Sequence, residues 1–118
     1  MPALNFKKQF APMIESGEKR QTIRALRKDC RNPQTGQMLY LYTGTRTTSC
    51  RKLKEVICKD VSQLTIEKNG DIIVGIDCLD SWQEYKLACD DGFRTLGDFL
   101  DFFRNTYGLP FYGLLIMW

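Results

Sequence analysis

The chain has 118 residues and a mass of 13.7 kDa, which is the size of one domain and excludes a multi-domain enzyme. Its 43% hydrophobic and 26% charged residues are typical of a globular domain that can bury a core. The net charge of +3 is the sum of two unlike halves: residues 1–59 contain 13 bases and 4 acids (+9), and residues 60–118 contain 4 bases and 10 acids (−6). Either the charges of the two halves pair across the folded domain, or the basic half attracts a polyanion.

The first predicted element is a short helix that ends at Gly17, a residue suited to the position after a helix end. Its apolar side chains follow the spacing i, i+4, i+7, i+8: Phe6, Phe10, Met13 and Ile14. Because proline is tolerated only in the first turn, Pro12 indicates that the regular helix begins near Phe10, with Phe6 in a preceding turn.

Short strands and loops follow. Thr22 and Ile23 indicate a short strand, and residues 27–36 have the composition of a loop. Residues 38–43 are apolar at successive positions, which predicts a strand buried on both faces, and residues 44–49 predict an exposed polar loop.

The middle of the chain predicts a strand over residues 52–60 and then a β-hairpin. Residues 64–66 alternate in polarity, Asn69-Gly70 is typical of a type I′ turn, and residues 72–78 form the returning strand.

Two helices and a strand complete the chain. The first helix begins at Asp80 or Ser81 and ends at Gly92, and the second begins at Thr95 and ends at Gly108. Residues 111–118 predict a last strand. This order is not a βαβ alternation, so we expect a single α+β domain over residues 1–118, whose mostly antiparallel strands curl into a small β-barrel with flanking helices.

Several chemistries are excluded by residue type. The chain has no histidine, and its five cysteines include no C-x-x-C pair, so we expect no metal site and no cofactor. Without histidine there is no Ser-His-Asp triad and no Cys-His dyad. Scattered unpaired thiols suit a reducing cytoplasm, where cysteine acts as a small buried hydrophobic residue.

The N-terminus lacks an apolar targeting segment and the longest apolar run, residues 109–118, is too short to span a bilayer, so we expect a cytoplasmic protein with no membrane partner.

Residues 17–24 read G-x-K-x-x-T-x-R and follow a short predicted helix. This segment resembles the signature of the ASCH domain family. The resemblance extends in order to residues 36–53, to residues 88–93 and to Phe111-Tyr112, and so covers nearly the whole chain. It implies a PUA-like β-barrel with a cleft for RNA or a nucleotide.

The small single-domain members that this chain resembles are amidohydrolases that remove the acetyl group from N4-acetylcytidine, using a lysine, a threonine and a glutamate. The resemblance assigns these catalytic roles to Lys19, Thr22 and Asp91. The acid here is an aspartate, one methylene shorter than glutamate, and Asp90 and Glu84 are alternatives for it.

Chemical reasoning about Lys19 and Thr22 leads to the same hypothesis. A threonine hydroxyl activated by a neutral lysine amine is a known variant of nucleophilic catalysis. Burial and the nearby cations Arg20 and Arg24 would lower the lysine pKa. In a straight strand Lys19 and Thr22 would point to opposite faces, so the hypothesis requires a turn or bulge between them.

The remaining candidates are predicted to bind nucleic acid or substrate: Arg20, Arg24, Arg27, Arg46, Arg51, Lys52 and Tyr112. The alternative for each is an ordinary solvated surface side chain. We therefore expect a protein that recognises RNA or a modified pyrimidine nucleoside and hydrolyses an N4-acyl amide. The alternatives are a non-catalytic RNA-binding module and a small metal-independent ribonuclease that uses Lys19.

Overall fold

The computed structural model describes residues 3–26 and 32–118, and these residues form an α+β fold. The strands are β1 (Ala3–Phe6), β2 (Gln21–Ala25), β3 (Met38–Thr43), β4 (Arg51–Ile57), β5 (Asp60–Ile66), β6 (Ile72–Val74), β7 (Asp77–Cys78) and β8 (Phe111–Met117). The α-helices are α1 (Ala11–Ser16), α2 (Ser81–Asp90) and α3 (Leu96–Thr106), with a 3₁₀ helix at Lys8–Phe10. The predicted α+β class is confirmed.

The strands form two sheets. One has the order β1-β3-β4, in which β1 is parallel to β3, and the other has the order β2-β8-β5-β6-β7 and is antiparallel throughout. No closed barrel is found among the described residues.

The chain changes sheets at Cys58-Lys59. The Cys58 N–H donates to Gln37 O before β3, whereas the Lys59 N–H donates to Met117 O at the end of β8. The predicted single strand over residues 52–60 is therefore wrong in extent, because the hydrogen-bond partner of the backbone switches at this point.

The middle of strand β8, residues 113–116, is buried on both faces and divides the core in two. Its side chains alternate: Leu114 and Ile116 join a cluster with β1, β3 and α1, while Phe111 and Leu115 join a cluster with α2 and α3. The helical side of the second cluster is built on Phe99 and Phe103, which are almost fully buried. Burial of each such aromatic side chain stabilises the fold by about 1.5–3 kcal/mol.

The first element differs from the prediction at Phe6. This residue ends β1, with Leu4 and Phe6 buried on one side, instead of lying in a turn. The predicted helix itself is confirmed, since α1 begins directly after Phe10 and ends at Gly17, which has φ 86°.

Strand β3 differs in its burial. Leu39 and Leu41 are fully buried, but Tyr40 and Tyr42 are only partly buried, because they lie on the outer face of the three-stranded sheet. The predicted strand over residues 72–78 is divided into β6 and β7 at Gly75, which has φ 63°.

Both later helices begin at the predicted positions, each with a side-chain cap. Asp80 accepts a hydrogen bond from the Gln83 N–H at 2.8 Å, and Thr95 accepts one from the Asp98 N–H at 3.0 Å. Within residues 3–26 and 32–118, no helix is long and apolar enough to cross a membrane.

Candidate functional site

A cavity of about 220 Å³ lies where the end of β1, strand β2 and the C-terminal end of α2 meet α3. Four of the residues predicted from the sequence line it: Lys19, Thr22, Arg24 and Asp91. The structure thus brings together residues that are up to 72 positions apart in the chain.

Lys19 and Asp91 form a buried pair at this cavity. The Lys19 Nζ donates to the Asp91 backbone oxygen at 2.6 Å and to Asp91 Oδ1 at 3.0 Å. Only 2% of Lys19 and 5% of Asp91 is exposed. Charged residues are almost never buried to this degree unless they are paired, so this contact is an organised feature of the fold.

The local backbone explains how Lys19 and Thr22 reach the same cavity. After α1 ends at Gly17, the Lys19 N–H donates to Met13 O at 3.0 Å, and β2 begins only at Gln21. Because Lys19 lies before the strand, the alternation of strand side chains does not separate it from Thr22. The turn lies at Gly17-Glu18, before Lys19, and not between Lys19 and Thr22 as the sequence hypothesis required.

The C-terminal end of α2 positions Asp91. The Phe93 N–H donates to Ala88 O and the Gly92 N–H to Cys89 O, both at 3.0 Å, and Gly92 has φ 98°, which is the Schellman arrangement. In this arrangement the Asp91 carbonyl remains available to Lys19. A cation is favoured there, since the C-terminal end of a helix carries partial negative charge.

Burial shifts both members of the pair toward their neutral forms. It lowers the pKa of Lys19 from its usual 10.5, opposed by the attraction to Asp91 and supported by repulsion from Arg24. Burial also raises the pKa of Asp91, opposed by Lys19 and by a hydrogen bond from Gln21. The Lys19 ammonium therefore gives up its proton more readily than that of an ordinary lysine.

Thr22 is held by Arg24 on the same side of β2. Arg24 Nε donates to Thr22 Oγ1 at 3.1 Å, and Arg24 also donates to the Asn5 backbone oxygen and covers the Phe6 ring at 4.6 Å. Since Thr22 Oγ1 accepts from Arg24, its own proton remains available for donation.

An aromatic wall lines the cavity, formed by Phe10, Phe93 and Phe102. Their ring centroids are separated by 5.7 Å and then by 5.4 Å. The Lys19 Nζ lies 5.0 Å from the Phe10 centroid, and the Lys7 Nζ lies 4.7 Å from the Phe102 centroid. The wall therefore has a lysine at each end.

Sequence reasoning missed Lys7 and the second role of Phe102. The helical spacing of Phe99, Phe102 and Phe103 predicts core residues; Phe99 and Phe103 are in the core, and Phe102 packs against it half-buried while it also lines the cavity. Phe102 lies at the edge of the apolar stripe of α3. Nothing in the pair Lys7-Lys8 distinguishes the residue that faces the cavity.

Of the other predicted binding residues, those in the described part of the chain do not line the cavity. Arg20 is exposed and donates to Gly17 O at 3.0 Å, and Tyr112 is 60% exposed on β8. Arg46 is exposed in a loop that Thr45 ties to the cavity rim through a hydrogen bond to Asn5 Oδ1. Arg27 lies outside the described residues.

The predicted basic surface is partly neutralised by ion pairs. Arg51 contacts Glu15 at 2.9 Å and Lys52 contacts Glu55 at 2.6 Å. These pairs reduce the positive field available to a nucleic acid strand.

Of the three candidates for the catalytic acid, Asp91, Asp90 and Glu84, only Asp91 lines the cavity. Asp90 lines a separate open groove, and Glu84 approaches the backbone of Ile72, where burial raises its pKa.

In the described part of the chain, no group of three or more His, Cys, Asp or Glu side chains is placed to hold a metal ion. Cys50 and Cys78 are exposed thiols, in contrast to the expected buried role, while Cys58 is buried.

Comparisons of the chain with protein-family models, with curated proteins and with solved structures find no match. The interpretation of the site therefore rests on its geometry and on the sequence motif.

Proposed function

We propose that the protein hydrolyses the amide of an N4-acylated cytosine nucleoside, with Thr22 as nucleophile, Lys19 as general base and Asp91 as the residue that positions Lys19. The observation that carries the proposal is a buried lysine amine of lowered pKa in a cavity that it shares with a threonine hydroxyl. The ordered resemblance to the ASCH domain family supports it, and a PUA-like relationship of the fold is part of the same proposal.

The chemistry proceeds through an acyl-enzyme. The neutral Lys19 amine accepts the Thr22 hydroxyl proton as Thr22 Oγ1 attacks the acyl carbon. When the bond from the acyl carbon to N4 breaks, the Lys19 ammonium gives that proton to N4, and cytidine leaves. Water then attacks the Thr22 ester with Lys19 again as base, the ester bond breaks, the proton returns to Thr22, and the carboxylic acid is released.

Arg24 and Asp91 support these steps. Arg24 is already within 3.1 Å of Thr22 Oγ1, so its positive charge lies near the oxyanion that forms on the acyl oxygen. Asp91 holds the Lys19 amine through two hydrogen bonds and thereby fixes its direction.

The size and lining of the cavity favour a single nucleoside over a bound strand. Its volume of about 220 Å³ lies below the range of roughly 300–1,000 Å³ usual for drug-sized ligands. Its aromatic wall suits one flat base. Together with the ion pairs of Arg51 and Lys52, this supports a small-molecule substrate over the RNA-binding and ribonuclease alternatives.

The test is cytidine release from N4-acetylcytidine, followed by chromatography. We expect Lys19→Arg and Thr22→Val to reduce kcat by about 10²-fold or more, because the first retains the charge without a usable base and the second retains the shape without the hydroxyl. Thr22→Ser should retain part of the activity and should accumulate an acyl-enzyme, esterified at the substituted position, that mass spectrometry detects.

The matched control is Lys68→Ala, an exposed lysine in the β5–β6 turn that does not line the cavity. Circular dichroism of every variant shows whether it is folded. An inactive wild-type protein, or full activity in folded Thr22→Val, would overturn the proposed function.

A further inference from the structure

We propose that the mouth of the cavity is a phosphate subsite formed by Lys7 with Asn5 and Thr106, so that the substrate is an N4-acylated cytidine 5′-monophosphate and not the free nucleoside. This inference rests on the proposed function for the identity of the base, whereas the phosphate subsite itself rests on the charge and geometry of the mouth.

The charge of the lining favours an anion. Among the described residues that line the cavity are three cations, Lys7, Lys19 and Arg24, and one carboxylate, Asp91. Asp91 is already paired with Lys19. Lys7 is exposed and has no ion pair in the described part of the chain, so its positive charge is directed to the solvent at the mouth.

The geometry of the aromatic wall matches the two ends of a nucleotide. Lys19 lies at Phe10 and Lys7 lies at Phe102, with Phe93 between these two rings. A cytidine monophosphate carries its N4 substituent and its 5′-phosphate at opposite ends. With the N4-acyl group at Lys19 and Thr22, the phosphate extends toward Lys7.

The mouth also supplies neutral hydrogen-bond donors. Asn5 Oδ1 accepts from the Thr45 N–H at 3.1 Å, which leaves the Asn5 Nδ2 group to donate elsewhere. Thr106, the last residue of α3, lines the same cavity and carries a hydroxyl group. An ammonium group, an amide and a hydroxyl together suit the three oxygens of a terminal phosphate.

The test compares kcat/KM for N4-acetylcytidine, for its 5′-monophosphate and for a short single-stranded RNA that contains the same modified base. At low ionic strength we expect the wild-type protein to prefer the monophosphate about tenfold over the nucleoside, and the preference should shrink as salt is added. Lys7→Gln should abolish the preference by lowering kcat/KM for the monophosphate about tenfold relative to that for the nucleoside. The matched control is Lys8→Gln, which removes an adjacent exposed lysine that does not line the cavity and should keep the preference.

A second measurement separates the inference from the proposed function. Calorimetry compares binding of cytidine and of cytidine 5′-monophosphate, with no turnover involved. Tighter binding of the monophosphate that disappears in Lys7→Gln supports the subsite even if no amide is hydrolysed, in which case the hydrolysis proposal alone fails. Hydrolysis of the nucleoside with no preference for the monophosphate, or a preference that survives Lys7→Gln, overturns the subsite alone. Faster turnover of the RNA than of the monophosphate also overturns it.

Discussion

At the scale of single residues, Lys19 and Asp91 depend on each other for their place in the interior. Each is almost fully buried, and each finds its charged or polar partner in the other. Removing one side chain leaves the charge of the other buried without its ion-pair partner, whereas removing both leaves only a small loss of packing and hydrogen bonding. The pair is therefore coupled in stability as well as in the proposed chemistry.

The substitutions Lys19→Met and Asp91→Asn should each lower the free energy of unfolding by about 3 kcal/mol at neutral pH. The double variant should be more stable than either single variant, since no unpaired charge then remains buried. Urea unfolding followed by circular dichroism measures all three, with the exposed Lys68→Ala as a control. Strict additivity of the two single effects would contradict the coupling.

The sequence was informative about the chemical residues and not about the residues that shape the cavity. Lys19 and Thr22 follow from a local motif, and the backbone turn at Gly17 that unites them is also local. Lys7 and Phe102 meet only when the end of β1 packs against α3, and no short-range pattern encodes that contact.

At the scale of elements, the C-terminal end of α2 determines where Asp91 lies. Gly92 occupies the left-handed region at φ 98°, and an added Cβ there would lie 2.9 Å from Phe10 Cδ1. An alanine at this position is strained both by its backbone and by the ring that forms part of the aromatic wall.

We expect Gly92→Ala to lower the free energy of unfolding by about 1–3 kcal/mol and to reduce activity, since the end of α2 and Asp91 must shift together. The matched control is Gly97→Ala within α3, where the backbone is helical and an added Cβ would lie 3.7 Å from Thr95 Oγ1, an ordinary contact distance. That variant should gain about 0.5–1 kcal/mol because alanine favours a helix. Thermal unfolding of both proteins measures the contrast, and equal changes would argue against a special role for the end of α2.

Local signals account for most elements, and the exceptions have a physical cause. The helix caps and the β5–β6 hairpin follow from nearby residues. In contrast, β1 has four residues and pairs in parallel with β3, which lies far along the chain, so its signal is not local. The separation of β4 from β5 depends on which strand supplies the partner at Cys58-Lys59.

At the scale of the whole molecule, the sequence does not determine whether the strands close into a barrel. Alternating short strands predict an antiparallel arrangement, and five of the six described strand pairings are antiparallel. Whether such strands close into one barrel or form two sheets depends on twist and on edge contacts, which short-range patterns do not encode. The cavity beside α3 is lined by residues of β1 from one sheet and of β2 from the other.

The pH dependence of the free energy of unfolding tests whether burial lowers the pKa of Lys19. In the unfolded chain Lys19 has its usual pKa of about 10.5, and in the folded protein burial lowers that pKa. Between the two values the unfolded state binds more protons than the folded state, so the stability due to Lys19 rises with pH. This contribution is fully present above 10.5 and is lost as pH falls through the lowered pKa.

The difference in the free energy of unfolding between the wild-type protein and Lys19→Met should therefore increase as the pH rises toward 10.5, with a slope of at most about 1.4 kcal/mol per pH unit. Groups that do not contact Lys19 are common to both proteins and largely cancel in this difference, and the same comparison made in an Asp91→Asn background removes the carboxyl whose pKa Lys19 lowers. Denaturant unfolding at a series of pH values measures it, and Lys68→Ala, which removes an exposed lysine, should show no such trend. A difference that is flat or falls with pH would mean that Lys19 keeps its proton in the folded protein, and an amine that keeps its proton cannot act as the base toward Thr22.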